Sequence, residues 1–270
     1  PTAGFKGNNY KGHEQVVEAI VTQYLKKSDD KQKGLVNIWA DVPYQDLFWL
    51  GNIRELENLL TEIGLTPNTI FGYQRGIENI NKIPHAEFNL LVSPWVGLKN
   101  MKTMEKTLGI PYLHYPVLPV GATETGKFLR EVGKFANIDE EKVEAVIKKH
   151  EDYFYYLISR YADLFLENRV INKQFSVVAD AQYSLAITKF LVNDLGLTPA
   201  KQFVTDDTPK EYQEAIKAEF NNLNFGIKAD VAFETDGFKI HEAIKEHDYH
   251  GYPLVLGGYY EKELTEKLKG

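Results

Sequence analysis

A phrase repeated at long range constrains this chain more than anything else in it. VNIWAD at 36–41 is followed by a loop, the stretch NIRELENLLTEI, and Gly64-Leu65-Thr66-Pro67. Residues 174–207, QFSVVADAQYSLAITKFLVNDLGLTPAKQFVTDD, run through the same succession, with Gly196-Leu197-Thr198-Pro199 in the matching place. In each copy a β-branched apolar run ends at Ala-Asp, a segment with helical apolar spacing follows, and glycine stops it. Ile53, Leu56, Leu59, Leu60 and Ile63 show that spacing in the first copy. Each copy therefore reads as one βαβ unit, and the duplication predicts two open sheets.

The rest of the chain keeps the alternation. Apolar runs at 88–92, 111–115, 231–234 and 254–257 read as further strands, and 175–179 and 201–205 are the strands of the second copy. Helical spacing covers 13–26, 52–63 with Asn52 as N-cap, 97–108 ended by Gly109, 123–136, 183–195, 238–246 and 259–268. Pro209 is placed at the first position of a helix reaching 223, and 79–84 is a short turn or helix. A long segment from the Asp139 cap to about 168 suits a connector. The expected class is α/β, two Rossmann-like doubly wound parallel-sheet domains, with boundaries at 1–150 and 151–270. Ligands of such sheets sit beyond the carboxyl ends of the strands. The loops to watch are therefore 41–51, 72–76, 93–97, 116–123, 180–183 and 206–209.

Composition removes several functions. A net charge of −7 in 270 residues argues against nucleic-acid binding, which needs clustered cations. No apolar run approaches the roughly 20 residues of a spanning helix, so no membrane partner is expected. No secretory leader is visible at the start, which favours the cytoplasm. The chain opens at Pro1 and closes on Lys269-Gly270, as a fragment of a longer subunit would. It contains no cysteine, so it cannot hold an iron–sulfur cluster through thiolates by itself.

The residues offer few reactions. Asp41 and Asp180 each follow a strand and precede a helix, where a carboxylate either meets a ribose hydroxyl or, more commonly, caps the helix. No Gly-x-Gly-x-x-Gly follows a strand, no P-loop occurs, and Gly257-Gly258 is too short to cradle a phosphate. His241, His247 and His250 lack the spacing of a metal site on one helical face. His114, between Leu113 and Tyr115 in a strand, reads as a hydrogen-bonded core or rim histidine. Asp206-Asp207 and Asp139-Glu140-Glu141 read as carboxylates at helix N-termini.

Several phrases, in order, resemble the component 1 family of nitrogenases: the dinitrogenase subunits, their cofactor-assembly paralogues and related reductases of tetrapyrrole synthesis. They are GFKGNNYKGHEQVVEAI, VNIWAD with LGNIRELENLLTEIGLTPNTIFG, AEFNLLVSPW, and TLGIPYLHYPVLPVGATETGKFLREVG. QFSVVADAQYSLAITKFLVNDLGLTP and PLVLGGYYEKELTEKL continue the series. The resemblance implies the second domain and most of the third of a three-domain subunit, nearer the beta type or an uncharacterised paralogue. It implies an iron–sulfur or iron–molybdenum-type cluster in the parent complex, none held by this fragment alone, with a sister component 1 subunit and an ATP-dependent iron protein reductase as partners. Ser93 stands where alpha-type subunits carry a cofactor-ligating cysteine. The glutamine and histidine those subunits present near the cofactor are not recognisable around residues 10–15.

The resemblance further implies that Ser93, Trp95, Gly121, Thr123 and Asp180 line a cofactor cleft between the domains. The expected function is that of an oxidoreductase subunit fragment, not catalytic alone, that helps to enclose a metallocluster and accepts electrons from the iron protein. The alternative is a non-enzymatic two-domain module, either a small-ligand binder or a cofactor-assembly scaffold.

Overall fold

The computed structural model describes residues 7–166 and 173–268. The Gly4-Phe5-Lys6 start of the opening phrase and the expected end of the long helix at 168 lie outside them. The described chain divides into two compact units: residues 7–116 with 128–146, and 117–127 with 147–166 and 173–268.

The first unit carries strands β1 (Leu35–Trp39), β2 (Thr66–Asn68), β3 (Phe88–Val92) and β4 (Tyr112–Tyr115), all parallel, in the order β2-β1-β3-β4. Its helices are α1 (Asn9–Ala19), continued by a π-helical turn to Tyr24, then α2 (Trp49–Glu62), α3 (Ile77–Lys82) and α4 (Leu98–Leu108). β1 and β3 are buried along their whole length. That two-sided burial explains why they read as continuous apolar runs instead of alternating ones. α4 ends where Gly109 takes φ 69°, as its glycine stop predicts. Val17, Val21, Trp39, Leu91, Met101 and Met104 form the core between α1, α4 and the sheet.

α5 (Gly121–Phe135) and α6 (Glu140–Leu166) follow, and Asp139 Oδ1 accepts from the Lys142 N–H as the expected cap. The second unit continues with β5 (Gln174–Ala179), α7 (Ala181–Asn193), β6 (Thr198–Pro199), β7 (Gln202–Val204), α8 (Lys210–Phe220), β8 (Val231–Phe233), α9 (Gly237–Glu246), β9 (Leu254–Leu256) and α10 (Tyr259–Lys267). β5 pairs in parallel with β6, β7 and β9, and β7 with β8. The carbonyls of Lys173, Phe175 and Ala179 accept from Thr198, Ala200 and Thr205. These odd-numbered residues face one edge, so β6 and β7 are two pieces of one broken strand, and β9 takes the other edge.

The two Ala-Asp/Gly-Leu-Thr-Pro copies thus occupy equivalent places in two separate parallel sheets. In each, the glycine adopts positive φ (Gly64 97°, Gly196 68°) and the Thr-Pro that follows starts an edge pairing with the first strand of its unit.

Two local expectations are corrected. α2 begins at Trp49, so Asn52 is inside it; the Asn52 side chain instead donates to Asp41 Oδ1 at 2.9 Å. Pro209 is the N-cap of α8, because its extended ψ of 140° keeps it just outside the helix, which starts at Lys210. Asp206 is, as expected, a carboxylate at a helix N-terminus: its Oδ2 accepts from Ala181 N at 3.1 Å, at the start of α7.

Candidate functional site

In an open parallel sheet a crevice forms where strand order reverses, beyond the carboxyl ends. In the first unit that point lies between β1 and β3, with Asp41 and Ser93 just past the two strand ends. In the second it lies between β5 and β9, flanked by Asp180 and Gly257-Gly258.

At the first mouth α1 is tied down by the loop after β3. The ring of Trp95 meets Tyr10 edge-on at 5.7 Å. The N–H of Gly97 donates to Glu14 Oε1 at 2.9 Å, and Asn100 Nδ2 donates to the Glu14 carbonyl at 2.9 Å. Burial raises the Glu14 carboxyl above its usual value, opposed by the Gly97 hydrogen bond. These ties place His13 against Phe71, with ring centroids 5.3 Å apart. Burial pulls the His13 pKa down to about 4, so the ring is neutral at pH 7.

His13 and Phe71 form the wall between two hollows. The inner one, about 20 Å³, also touches Trp39, Asp41, Thr69 and Asn100, and has room for about one water. The outer one, about 540 Å³, is lined also by Asn8, Lys11, Tyr44 and Gln45. Asn9 Nδ2 donates to Gln45 Oε1 at 2.6 Å, joining α1 to the aromatic loop after β1.

Ser93 is buried, 1% exposed. Its N–H donates to the Tyr115 carbonyl at 3.2 Å, and its own carbonyl accepts from His114 Nε2 at 2.8 Å. His114 is therefore a hydrogen-bonded rim histidine carrying its proton on Nε2. Trp95 is buried beside Ser93 in this unit.

Gly121, Thr123 and Asp180 belong to the second unit. Gly121 holds φ 81°, and a Cβ there would run into Asp194 and Phe190. Asp194 Oδ1 accepts from Thr123 N at 3.0 Å and from Thr123 Oγ1 at 2.8 Å, capping the first turn of α5 from the end of α7. Asp180 caps α7, its Oδ1 accepting from Tyr183 N at 2.9 Å. Burial, with the charge of Asp206 adding to it, raises the Asp180 pKa to about 6 against the Tyr183 hydrogen bond. Asp180 thus caps its helix, one of the two roles its position allows.

His13 escaped sequence reasoning although it lines both hollows. A signal was present, because a lone imidazole stood near the start of an amphipathic helix. Among the described residues no three His, Cys, Asp or Glu side chains gather as a metal site. His241 pairs with Glu261 at 3.4 Å and His250 with Asp248 at 3.1 Å, apart from each other. No helix among the described residues is long and apolar enough to cross a membrane.

Two parallel α/β units, each with its mouth at a point of strand reversal, define a chain of the Rossmann-like class. The model of the nitrogenase component 1 type oxidoreductases matches residues 1–269, and the chain belongs to that family. It is similar to the B subunit of the light-independent protochlorophyllide reductase of Angiopteris evecta, 28% identical over 209 residues, which cover 72% of this chain and 39% of the relative. The corresponding polypeptide of Chlorokybus atmophyticus is 27% identical over 209 residues, 73% of this chain and 40% of that one. The chain therefore spans about two fifths of the length of these curated relatives. The solved structure of nitrogenase Cp1 at pH 6.5 shares the fold, with a TM-score of 0.72 at 18% identity over 97% of this chain and 57% of its own.

An iron–sulfur cluster needs thiolate ligands in most settings. With no cysteine in the chain and no convergent His or carboxylate set among the described residues, these side chains do not make a cluster ligand set by themselves.

Proposed function

We propose that this chain is part of a component 1-type oxidoreductase subunit that helps to enclose a metallocluster. The cluster's ligands come from other segments of the subunit and from a sister subunit. An ATP-dependent iron protein delivers the electrons, in the cytoplasm. The family match across residues 1–269 carries this reading. The names of the curated relatives, subunits of a protochlorophyllide reductase, agree with a reductive reaction on a small molecule.

Within it, Ser93 and Trp95 shape the mouth of the first sheet, where His13 and Asp41 present polar atoms to the inner hollow. Gly121, Thr123 and Asp180 fix the loops of the second unit through Asp194 and the first turn of α7. All five are positioning residues. They set where the strand-end loops stand against a group bound there.

The native complex, isolated without oxygen, should contain a sister subunit together with iron and acid-labile sulfide. Ser93→Cys adds a thiolate at the mouth and should change the cluster content of the full complex. An unchanged content would remove the first mouth from the cluster's surroundings. If the isolated protein carried neither iron nor partner, and calorimetry showed a small metabolite binding to it, the non-enzymatic ligand-binding or assembly-scaffold reading would replace this one. The 540 Å³ hollow is the place such a metabolite would occupy.

A further inference from the structure

Within the second unit α6 turns Phe154 inward, where its ring meets Phe190 of α7 edge-on at 6.3 Å. At 3.6 residues per turn, Tyr156 lies on the opposite side of the helix. Tyr153 and Tyr156 are 66% and 55% exposed and Leu157 is 39% exposed, so the outer face of a long helix carries large apolar surface in water. Scattered exposed aromatics need no explanation, whereas a contiguous apolar helix face marks an interaction site. Tyrosine suits such a surface, since it buries much area with few rotatable bonds and keeps a polar tip.

The charges on this face are opposite in sign on the two sides of Tyr156. Asp152 stands one turn before it and Arg160 one turn after. Within the helix both carboxylate oxygens of Asp152 accept from Lys148 Nζ at 3.0 Å, and the pair is exposed, so a second cation can still approach from solvent. The Arg160 guanidinium lies over the Tyr156 ring, 5.1 Å from its centroid, and donates from Nη2 to the Tyr156 hydroxyl at 2.7 Å, which ties the two side chains together. An antiparallel helix with the same sequence, crossing at Tyr156, brings its Arg160 toward this Asp152 and its Asp152 toward this Arg160. A sequence self-complementary about one residue is what an isologous twofold contact requires.

We propose that the outer face of α6 is a self-association surface, on which a second copy of this chain docks in antiparallel fashion about Tyr156. Two Tyr153/Tyr156/Leu157 patches pack at its centre, and two symmetry-related Asp152–Arg160 pairs set direction and register. A partner offering only apolar surface would leave this charge pattern without a role.

Sedimentation velocity on the purified protein, from 1 to 100 μM, tests the proposal. A concentration-dependent dimer is expected, and Tyr156→Ser with Tyr153→Ser should make it monomeric over that range. Asp152→Arg and Arg160→Asp, each alone, set like charges opposite one another and should weaken the dimer roughly tenfold or more. The double reversal, Asp152→Arg with Arg160→Asp, should restore it by exchanging the two partners. Circular dichroism and tryptophan fluorescence show whether each variant is folded. A wild-type protein monomeric at 100 μM overturns the proposal, as does a dimer indifferent to these changes. Single reversals that weaken it without rescue by the double reversal assign the face to a partner of other chemistry, and overturn it equally.

Discussion

The side chain of Asn37 donates to Asn89 Oδ1 across β1 and β3 at 3.0 Å, while its own Oδ1 accepts from Asn68 Nδ2 at 2.8 Å. The three asparagines share one register across three adjacent parallel strands, Asn68 opposite Asn37 and Asn37 opposite Asn89. Trp39 Nε1 donates to the same Asn89 oxygen at 3.1 Å, and Asn79 Nδ2 closes the row on Asn68 Oδ1 at 3.1 Å. All of these side chains are buried, so each amide depends on its neighbours for its hydrogen bonds.

Asn37→Leu should break this row at its centre. It leaves buried acceptors on Asn89 and Ile83 and a donor on Asn68 with a partner lost, at a cost of roughly 2–4 kcal/mol. Trp39, Trp49 and Trp95 are the three tryptophans of the chain, and all lie in the first unit. A urea titration followed by tryptophan fluorescence therefore reads that unit alone, and its midpoint should fall.

The break between β6 and β7 is bridged by a side chain. Gln202 Oε1 accepts from Val177 N at 2.9 Å, and its Nε2 donates to the carbonyls of Phe175 (3.1 Å) and Ala200 (2.8 Å). Gln202→Leu keeps the volume and removes these substitutes for ladder bonds, costing roughly 3 kcal/mol. The Val177 amide should then exchange with solvent deuterium markedly faster, with the first unit's fluorescence transition unchanged.

The contact of Thr123 with Asp194 gives a graded pair of variants. Thr123→Val should cost about 1–2 kcal/mol by removing one of the two bonds to Asp194 Oδ1. Gly121→Ala should cost more, roughly 2–4 kcal/mol, because its positive φ and the crowding by Asp194 and Phe190 act together. Thermal unfolding followed by far-ultraviolet circular dichroism should rank the three proteins in that order.

His13 and Asp180 should give pH dependences of opposite sign. His13 protonates near 6.5 when unfolded and near 4 when folded. Between those values the unfolded state binds more protons, so the first unit loses stability as pH falls from 6.5 toward 4. His13→Gln should flatten that slope in the fluorescence midpoint. Asp180 moves the other way, from 3.8 to about 6. The folded second unit then binds more protons between these values and loses stability as pH rises through them. Asp180→Asn keeps an N-cap and carries no charge. It should stabilise the second unit at pH 8 and leave it nearly unchanged at pH 3.5, as read by amide exchange in β5.

The strands were legible because their apolar runs are bounded by turn residues, and 88–92 is a strand over the same residues. α2 was legible in its body and missed at its start, since Trp49 and Leu50 look like part of the aromatic loop. The asparagines inside VNIW and FNLL were visible departures from apolar strands, yet nothing in either phrase told which amide would meet which. His13 was hidden by its helix, whose spacing advertised Val17 and Val21 instead.

The sequence by itself determined the element list and its duplication, because hydrophobic period, glycine stops and caps act within a few residues of one another. It also carried the family kinship, which the match over residues 1–269 bears out. Only tertiary structure decided which side chains meet: Thr123 with Asp194 across 71 positions, His13 with Phe71, and three asparagines in one register. Such contacts follow from how strands pair and helices dock, and pairing between distant segments leaves no periodic trace in the chain.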